Sequence, residues 1–305
     1  LIDAATGYHL WSERYDRDLQ DIFAVQDEVN RKIVAALEIK LTTQEQARVR
    51  KLPTVHLDAY DYFLRGLEHH ARRTEEANAL ARQMFERAID LDPNFAAAYA
   101  MLGRTYLMAL AFQWGDSADA SARLRAAAMQ AVALDETLSI AHETLAYSAL
   151  GGRQFDEAIA AAERAIDLDP NSADALITLG EVLSFAGRAN EGVPLVERAM
   201  RLNPQYPPAY LWALGQTYYF SGRTEEAIVA FNRVITRNPD HITAHLLLAV
   251  TYTEVDRLDD AHKEIAEILR INPSYSLAHV RERSPYKDLA TRGRMISALE
   301  RAGLT

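Results

Sequence analysis

Prolines keep an even beat through most of this chain, and a beat of that length leaves few ways to fold. Pro170, Pro204, Pro239 and Pro273 stand 34, 35 and 34 residues apart, and Pro93 precedes Pro170 by 77. The longer gap divides into 43 and 34 once Glu136 is allowed to take a proline's place. The residues leading into each mark agree. Arg87-Ala88-Ile89-Asp90-Leu91-Asp92-Pro93 returns unchanged as Arg164-Ala165-Ile166-Asp167-Leu168-Asp169-Pro170, and Arg198-Ala199-Met200-Arg201-Leu202-Asn203-Pro204 is a close variant. A period near 34 describes a supersecondary unit that cannot bury its apolar face alone and stacks on neighbours of its own kind.

Within a unit the pattern is helix, short turn, helix. In the fifth, Leu211, Leu214, Gly215 and Tyr218 mark the first helix, Gly222-Arg223-Thr224-Glu225-Glu226-Ala227 the turn, and Ala227, Phe231 and Pro239 the second helix and its end. The glycine allows a left-handed helix end, and the carboxylates after it fall where the next helix dipole favours negative charge. The same turn is read at Gly152-Arg153-Gln154-Phe155-Asp156-Glu157-Ala158 and at Gly187-Arg188-Ala189-Asn190-Glu191. Small residues (Gly103, Gly180, Gly215, Ala158, Ala227) stand where paired helices must come close. Departures are a longer turn around Arg72 to Asn78, about nine extra residues between Phe112 and Arg123, and Asp256 in place of a turn glycine. Pro194 reads as part of a first helical turn, where proline is tolerated.

The ends differ from the array. Leu1-Ile2-Asp3, Ala4-Ala5-Thr6-Gly7 and Tyr8-His9-Leu10-Trp11-Ser12-Glu13-Arg14-Tyr15 read as strand, turn and strand. A lone hairpin is marginal in water, so a sheet begun upstream, in a longer protein, is expected. Ile22, Val25, Val29, Ile33, Leu37 and Leu41 form one stripe of a helix over 21–41, and residues 42–53 read as a boundary. After Tyr275, Pro285 interrupts one helix, and Met295, Ile296, Leu299 and Ala302 stripe another, suited to closing an open array. The expected organisation is residues 1–52 as the end of an α/β domain, 53–275 as the repeat array, and 276–305 as capping helices.

Composition narrows the function. The chain has no cysteine, which excludes disulfides, thiolate catalysis, zinc fingers and iron–sulfur clusters, and fits a reducing compartment such as the cytoplasm. A net charge of −10 disfavours nucleic acid as a partner. No run of 18 apolar residues is present, so no membrane-spanning helix is expected. No phosphate-binding glycine loop or serine nucleophile elbow is found, and no cofactor or metal is expected. His241 and His245 stand four apart on a helix but lack a third ligand, and Glu75-Glu76, Glu225-Glu226 and Asp259-Asp260 read as helix-start charge, not acid–base pairs.

These units resemble the tetratricopeptide repeat from about Leu57 to Tyr275, six of them. The resemblance implies an all-α fold, a right-handed superhelical solenoid with the first helix of each unit lining a concave face that takes extended or helical peptides. Mapped by register, that face carries Arg104, Glu143, Tyr147, Asp174, Glu181, Trp212, Gln216 and Tyr219. Trp212 and Tyr219 are the strongest candidates, because such aromatics are frequent interface anchors. The acidic members favour a basic or apolar protein or peptide segment, and the lysine and asparagine clamp that other members use for a C-terminal carboxylate is absent.

A narrower resemblance lies at the two ends. Leu1 to Trp11, Arg14-Tyr15-Asp16 and Asp21-Ile22-Phe23-Ala24-Val25-Gln26-Asp27-Glu28 resemble the close of the TolB-like domain of large bacterial signalling proteins. Arg283-Ser284-Pro285-Tyr286-Lys287-Asp288 and Ala302-Gly303-Leu304 resemble that family's C-terminus. In that family an adenylate/guanylate cyclase domain of class III, or a winged-helix domain, lies further upstream. The implied role is a noncatalytic regulatory scaffold of an adenylate-cyclase-type protein. The alternatives are the same role in a winged-helix transcription regulator, and a self-association module that dimerises through the N-terminal hairpin or helix.

Overall fold

The structure, a computed structural model, describes residues 11–14, 22–36, 54–112, 114–115, 117–283 and 286–305. These residues form fifteen helices and, among them, no strand. The hairpin expected at the start lies outside the described residues except for Trp11 to Arg14, which have no regular secondary structure, so it finds no support. The helix expected over 21–41 is α1, Ile22–Ala36, and the boundary expected at 42–53 lies outside the described residues. No helix among the described residues is long and apolar enough to cross a membrane.

Six helix pairs follow: α2 (Leu57–Ala71) with α3 (Glu75–Leu91), α4 (Ala96–Phe112) with α5 (Ser117–Leu134), and α6 (Ser139–Gly151) with α7 (Phe155–Leu168). The others are α8 (Ala173–Phe185) with α9 (Ala189–Leu202), α10 (Pro208–Phe220) with α11 (Thr224–Arg237), and α12 (Ile242–Glu254) with α13 (Leu258–Ile271). Each helix packs most extensively on its own partner, then on the next pair. First helices also pack on one another, whereas second helices do not to a comparable extent. Crowding the first helices on the inside bends the stack, and their free side becomes the concave face.

The punctuation has a local cause. A residue before proline is driven out of the helical region, and Asp92 and Asn238 indeed hold extended angles (φ −138°, ψ 93° and φ −142°, ψ 91°). Their side chains then accept from the backbone N–H two residues on, at 3.0 Å from Asn94 and 3.2 Å from Asp240. Asp135 makes the same turn with the Thr137 N–H at 3.0 Å although Glu136 follows it. Glu136 therefore stands in for proline because the Asp side chain, not the pyrrolidine ring, closes the turn.

The turn between paired helices also repeats, with one residue in the left-handed region: Gly187 (φ 82°), Gly222 (φ 78°), Arg73 (φ 54°), Arg153 (φ 56°) and Asp256 (φ 56°). In the third unit the left-handed position is thus Arg153 and not Gly152, whose φ is −78°. The longer turn expected at Arg72 to Asn78 is also corrected. Thr74 accepts from the Ala77 N–H at 3.2 Å and starts α3 at Glu75. Pro194 lies inside α9 and not in its first turn, because the helix already starts at Ala189 behind the Arg188–Glu191 ion pair.

Paired helices touch where the sequence places small residues. A Cβ at Gly66 would stand 2.5 Å from the Phe85 ring, one at Gly215 2.6 Å from the Phe231 ring, and one at Gly180 2.5 Å from a Val196 methyl. At the far end, α14 (Leu277–Arg283) and α15 (Leu289–Arg301) close the array, and Met295, Leu299 and Leu304 bury themselves against Leu247, Ile265 and Ile268 of the last pair.

Two glycine substitutions separate the two roles. Gly222→Ala meets no neighbouring atom and is expected to cost roughly 1–2 kcal/mol through its backbone angle alone. Gly215→Ala is expected to cost about 1–3 kcal/mol by overpacking, and only this cost should shrink when Phe231 is shortened to Leu. Urea unfolding of the single and double variants measures both.

Candidate functional site

Four successive first helices bring five of the eight expected residues into one row. From α4, an Arg104 Nη2 donates to Glu143 Oε2 of α6 at 2.5 Å, with side chains 18% and 3% exposed. The Ser139 hydroxyl gives Glu143 a second donor at 3.3 Å. The Arg104 guanidinium lies 5.1 Å from the Tyr147 ring centre, and the Tyr147 hydroxyl donates to Glu181 of α8. Trp212 of α10 continues the row, its side chain helping to hold Glu181 ionised. The register of the repeat makes this arrangement: matching positions of stacked first helices fall side by side.

Burial sets the electrostatics. It outweighs the Tyr147 hydroxyl, Arg104, Arg73 and Trp212, which pull the Glu181 carboxyl down, and leaves that carboxyl at about 7. It also raises Glu143, opposed by Arg104 and assisted by Asp174. Tyr147 is held well above the ordinary tyrosine value by burial and then by Glu181. Arg104 loses from burial, but Glu143, Tyr147, Asp174 and Glu181 together leave it above its usual value.

The other three candidates are placed differently. Asp174 is exposed and accepts the Tyr210 hydroxyl at 2.7 Å. Tyr219 is partly buried; its hydroxyl donates to Glu254 at 3.1 Å and its ring meets Phe220 edge-on at 4.9 Å. Gln216 is 0% exposed, and neither its Oε1 nor its Nε2 has a hydrogen-bond partner. A residue at that depth cannot touch a ligand on this face, so Gln216 lies beneath the site and not on it.

Several residues belong to this face that the register reading passes over. Arg73, in its left-handed turn, keeps solvent-accessible surface at the rim of the face, while the protein crowded around its guanidinium and repulsion from Arg104 lower its pKa, against Asp174, Tyr147 and Glu181. Trp212 packs 5.2 Å from the His241 ring, which lies 6.1 Å from Phe112, itself stacked on Trp114 at 5.0 Å. The last residue of α4, in the second unit, thus meets the residue that starts the first helix of the sixth. Phe185 and Phe220, 35 residues apart and each the last residue of a first helix, form an aromatic end to the face with ring centres 6.3 Å apart. That equal spacing is the signal available for these two; nothing local signals His241.

The histidine pair has other work. His241 caps α12, its Nδ1 accepting the Ala244 N–H at 3.2 Å. His245 sets Nδ1 2.6 Å from Glu264 Oε2 and Nε2 2.8 Å from the Pro239 carbonyl, two acceptors that suit an imidazolium and raise its pKa against the cost of burial. Glu75, Glu76, Glu225, Glu226, Asp259 and Asp260 all stand in first helical turns. Among the described residues no group of three or more histidine, aspartate or glutamate side chains is arranged to hold a metal ion.

Comparison with known proteins adds the following. Sequence profiles described as "Tetratricopeptide repeat" match residues 149–214, 186–240 and 221–280, and a second profile of that description matches 84–120, together more than half of the chain. "Putative adenylate cyclase 3" of Rhizobium meliloti (strain 1021) is 40% identical over 159 residues, which are 52% of this chain and 27% of that protein. The chain therefore matches about a quarter of the length of that relative. A thermophilic tetratricopeptide protein of Thermus thermophilus has the same fold at a TM-score of 0.50 and 17% identity, over 63% of this chain and 98% of the other. A chain of the APC/C hetero-tetramer superposes at a TM-score of 0.56 and 15% identity, over 93% of this chain and 54% of the other.

The raised Glu181 pKa fixes a sign. A carboxyl that protonates more readily folded than unfolded contributes stability that is full below about 4.5 and is lost as pH rises to about 7. His70 and His241, both lowered by burial to about 4, act oppositely, since protonating them on the way from 6.5 to 4 disfavours the folded chain. The test is therefore a difference: Glu181→Gln should gain stability relative to wild type as pH rises from 4.5 to 7, measured by urea midpoints at each pH.

Proposed function

Because the chain belongs to the tetratricopeptide repeat family, we propose that its concave face binds a protein or peptide segment as a noncatalytic scaffold. The observation that carries this reading is the continuous row Arg104, Glu143, Tyr147, Glu181 and Trp212, built across four repeats and turned to the inside of the stack. Trp212 supplies the anchor, Tyr147 and Glu181 a polar wall, and exposed Asp174 the free edge for a basic side chain. Tyr219 extends the same face towards its aromatic end. The preferred partner is an apolar segment flanked by basic residues, because Glu143 already has Arg104 while Asp174 and Glu181 remain within reach of an added cation. The likeness to a protein named an adenylate cyclase supports a regulatory place in a larger bacterial signalling protein of the cytoplasm.

A peptide array probed with the labelled chain is expected to return binders rich in apolar and basic residues. Trp212→Phe, which keeps a ring against Phe231, and Asp174→Asn, which keeps a side chain of the same shape, should each weaken those binders by about tenfold, the scale of an interface anchor, with circular dichroism checking that both variants keep their helices. Affinities unchanged in both variants would refute this surface.

A further inference from the structure

The aromatic end of the concave face is already occupied, and by this chain. The connection between α14 and α15 lays Tyr286 across it, with its ring centre 5.3 Å from Phe185 and 5.0 Å from Phe220. The next residue adds two contacts. The Lys287 N–H donates to the Phe185 carbonyl at 3.0 Å, and its ammonium lies 5.7 Å from the Phe155 ring centre and 3.9 Å from Asp156 Oδ1. Phe185 ends α8, so its carbonyl belongs to the set that a helix leaves without an internal donor. The place therefore offers a slot between two rings, a backbone acceptor for an extended chain, and an acidic and aromatic seat for a cation. None of the three is specific to a tethered segment.

We propose that this aromatic end docks an extended protein segment carrying a tyrosine or phenylalanine followed by a basic residue, and that Tyr286-Lys287 fills the place until such a segment displaces it. The proposal rests on the concave-face reading above and names the partner chemistry at one end of it. The energy lies mainly in the ring contacts, because Lys287 and Asp156 are 53% and 98% exposed and an ion pair so open to water contributes little. Leaving the slot need not open the cap. Helix α15 is anchored separately through Met295 and Leu299, and the residues after it through Leu304, all at most 2% exposed, and its start is capped by Asp288, which accepts from the Ala290 and Thr291 N–H groups at 3.0 Å.

The test uses the whole chain and a fluorescent peptide, Ser-Pro-Tyr-Lys-Asp-Leu, which repeats residues 284–289. Against wild type, the tethered copy competes at an effective concentration on the order of millimolar, so binding should be weak. Tyr286→Ala vacates the slot and should bind the peptide at least tenfold more tightly by fluorescence anisotropy, while a peptide with alanine for tyrosine should not bind. Circular dichroism checks that the variant keeps its helices. Should it not fold, Lys287→Glu, which faces Asp156 with a like charge and keeps the ring, should give the same rise in smaller measure. Equal affinity for wild type and variant, or no binding to a folded variant, overturns the proposal. If array binders still depend on Trp212 in that case, the concave-face reading survives it; if they do not, both fall.

Discussion

Paired helices in this chain approach until one has no side chain left to interpose, and the rest of the molecule is arranged around that contact. At Gly66 and Gly215 the space of a side chain is taken by the Phe85 and Phe231 rings of the partner helix, and at Gly180 by Val196. Gly103 lies instead against Thr144 of the next first helix, with Leu124 and Ala127 of its own partner close behind. Interiors this dense transmit position with little slack. Each pair is a stiff wedge, and wedges crowded on their first helices curve the stack and turn matching positions inward. The row from Arg104 to Trp212 is a consequence of that curvature.

The inward row does more for arrangement than for stability. A buried ion pair such as Arg104–Glu143 roughly offsets its own desolvation, so little net stabilisation is expected of it. What it does is fix a guanidinium over the Tyr147 ring and aim the Tyr147 hydroxyl at Glu181. The face is thereby divided. One half is polar, with its carboxylates partly engaged by the protein's own donors. The other is aromatic, with Phe185 and Phe220 partly covered by Tyr286 and Tyr219 edge-on to Phe220.

How legible each part is follows from how local its cause is. The unit ends at Asp92, Asp135, Asp169, Asn238 and Asn272 can be read off the chain, because in each a side chain accepts from the backbone N–H two residues on. The glycine turn at Gly152 hides the true left-handed residue, Arg153, since a glycine next to the turn says nothing of which residue takes the positive angle; only the fixed distance from the repeat start does. Register places Gln216 towards a ligand because it gives a helix position, whereas burial depends on how closely the neighbouring first helices close over it. Asp174 and Trp212 are legible as first-helix positions, but their partners Tyr210 and His241 have no signature in the repeat.

The amino-acid order alone determined the repeat, the pairing of helices and the family, because helix ends, turn angles and close contacts within a unit are decided by residues a few positions apart. It also gives each residue's position around its own helix, since that depends only on the period. The tertiary structure decided which of those positions stay open, that Phe112 reaches His241, and that Tyr286 lies between Phe185 and Phe220. Those contacts join residues from different repeats, and whether they meet depends on curvature summed over every wedge between them, a quantity no single stretch of sequence contains.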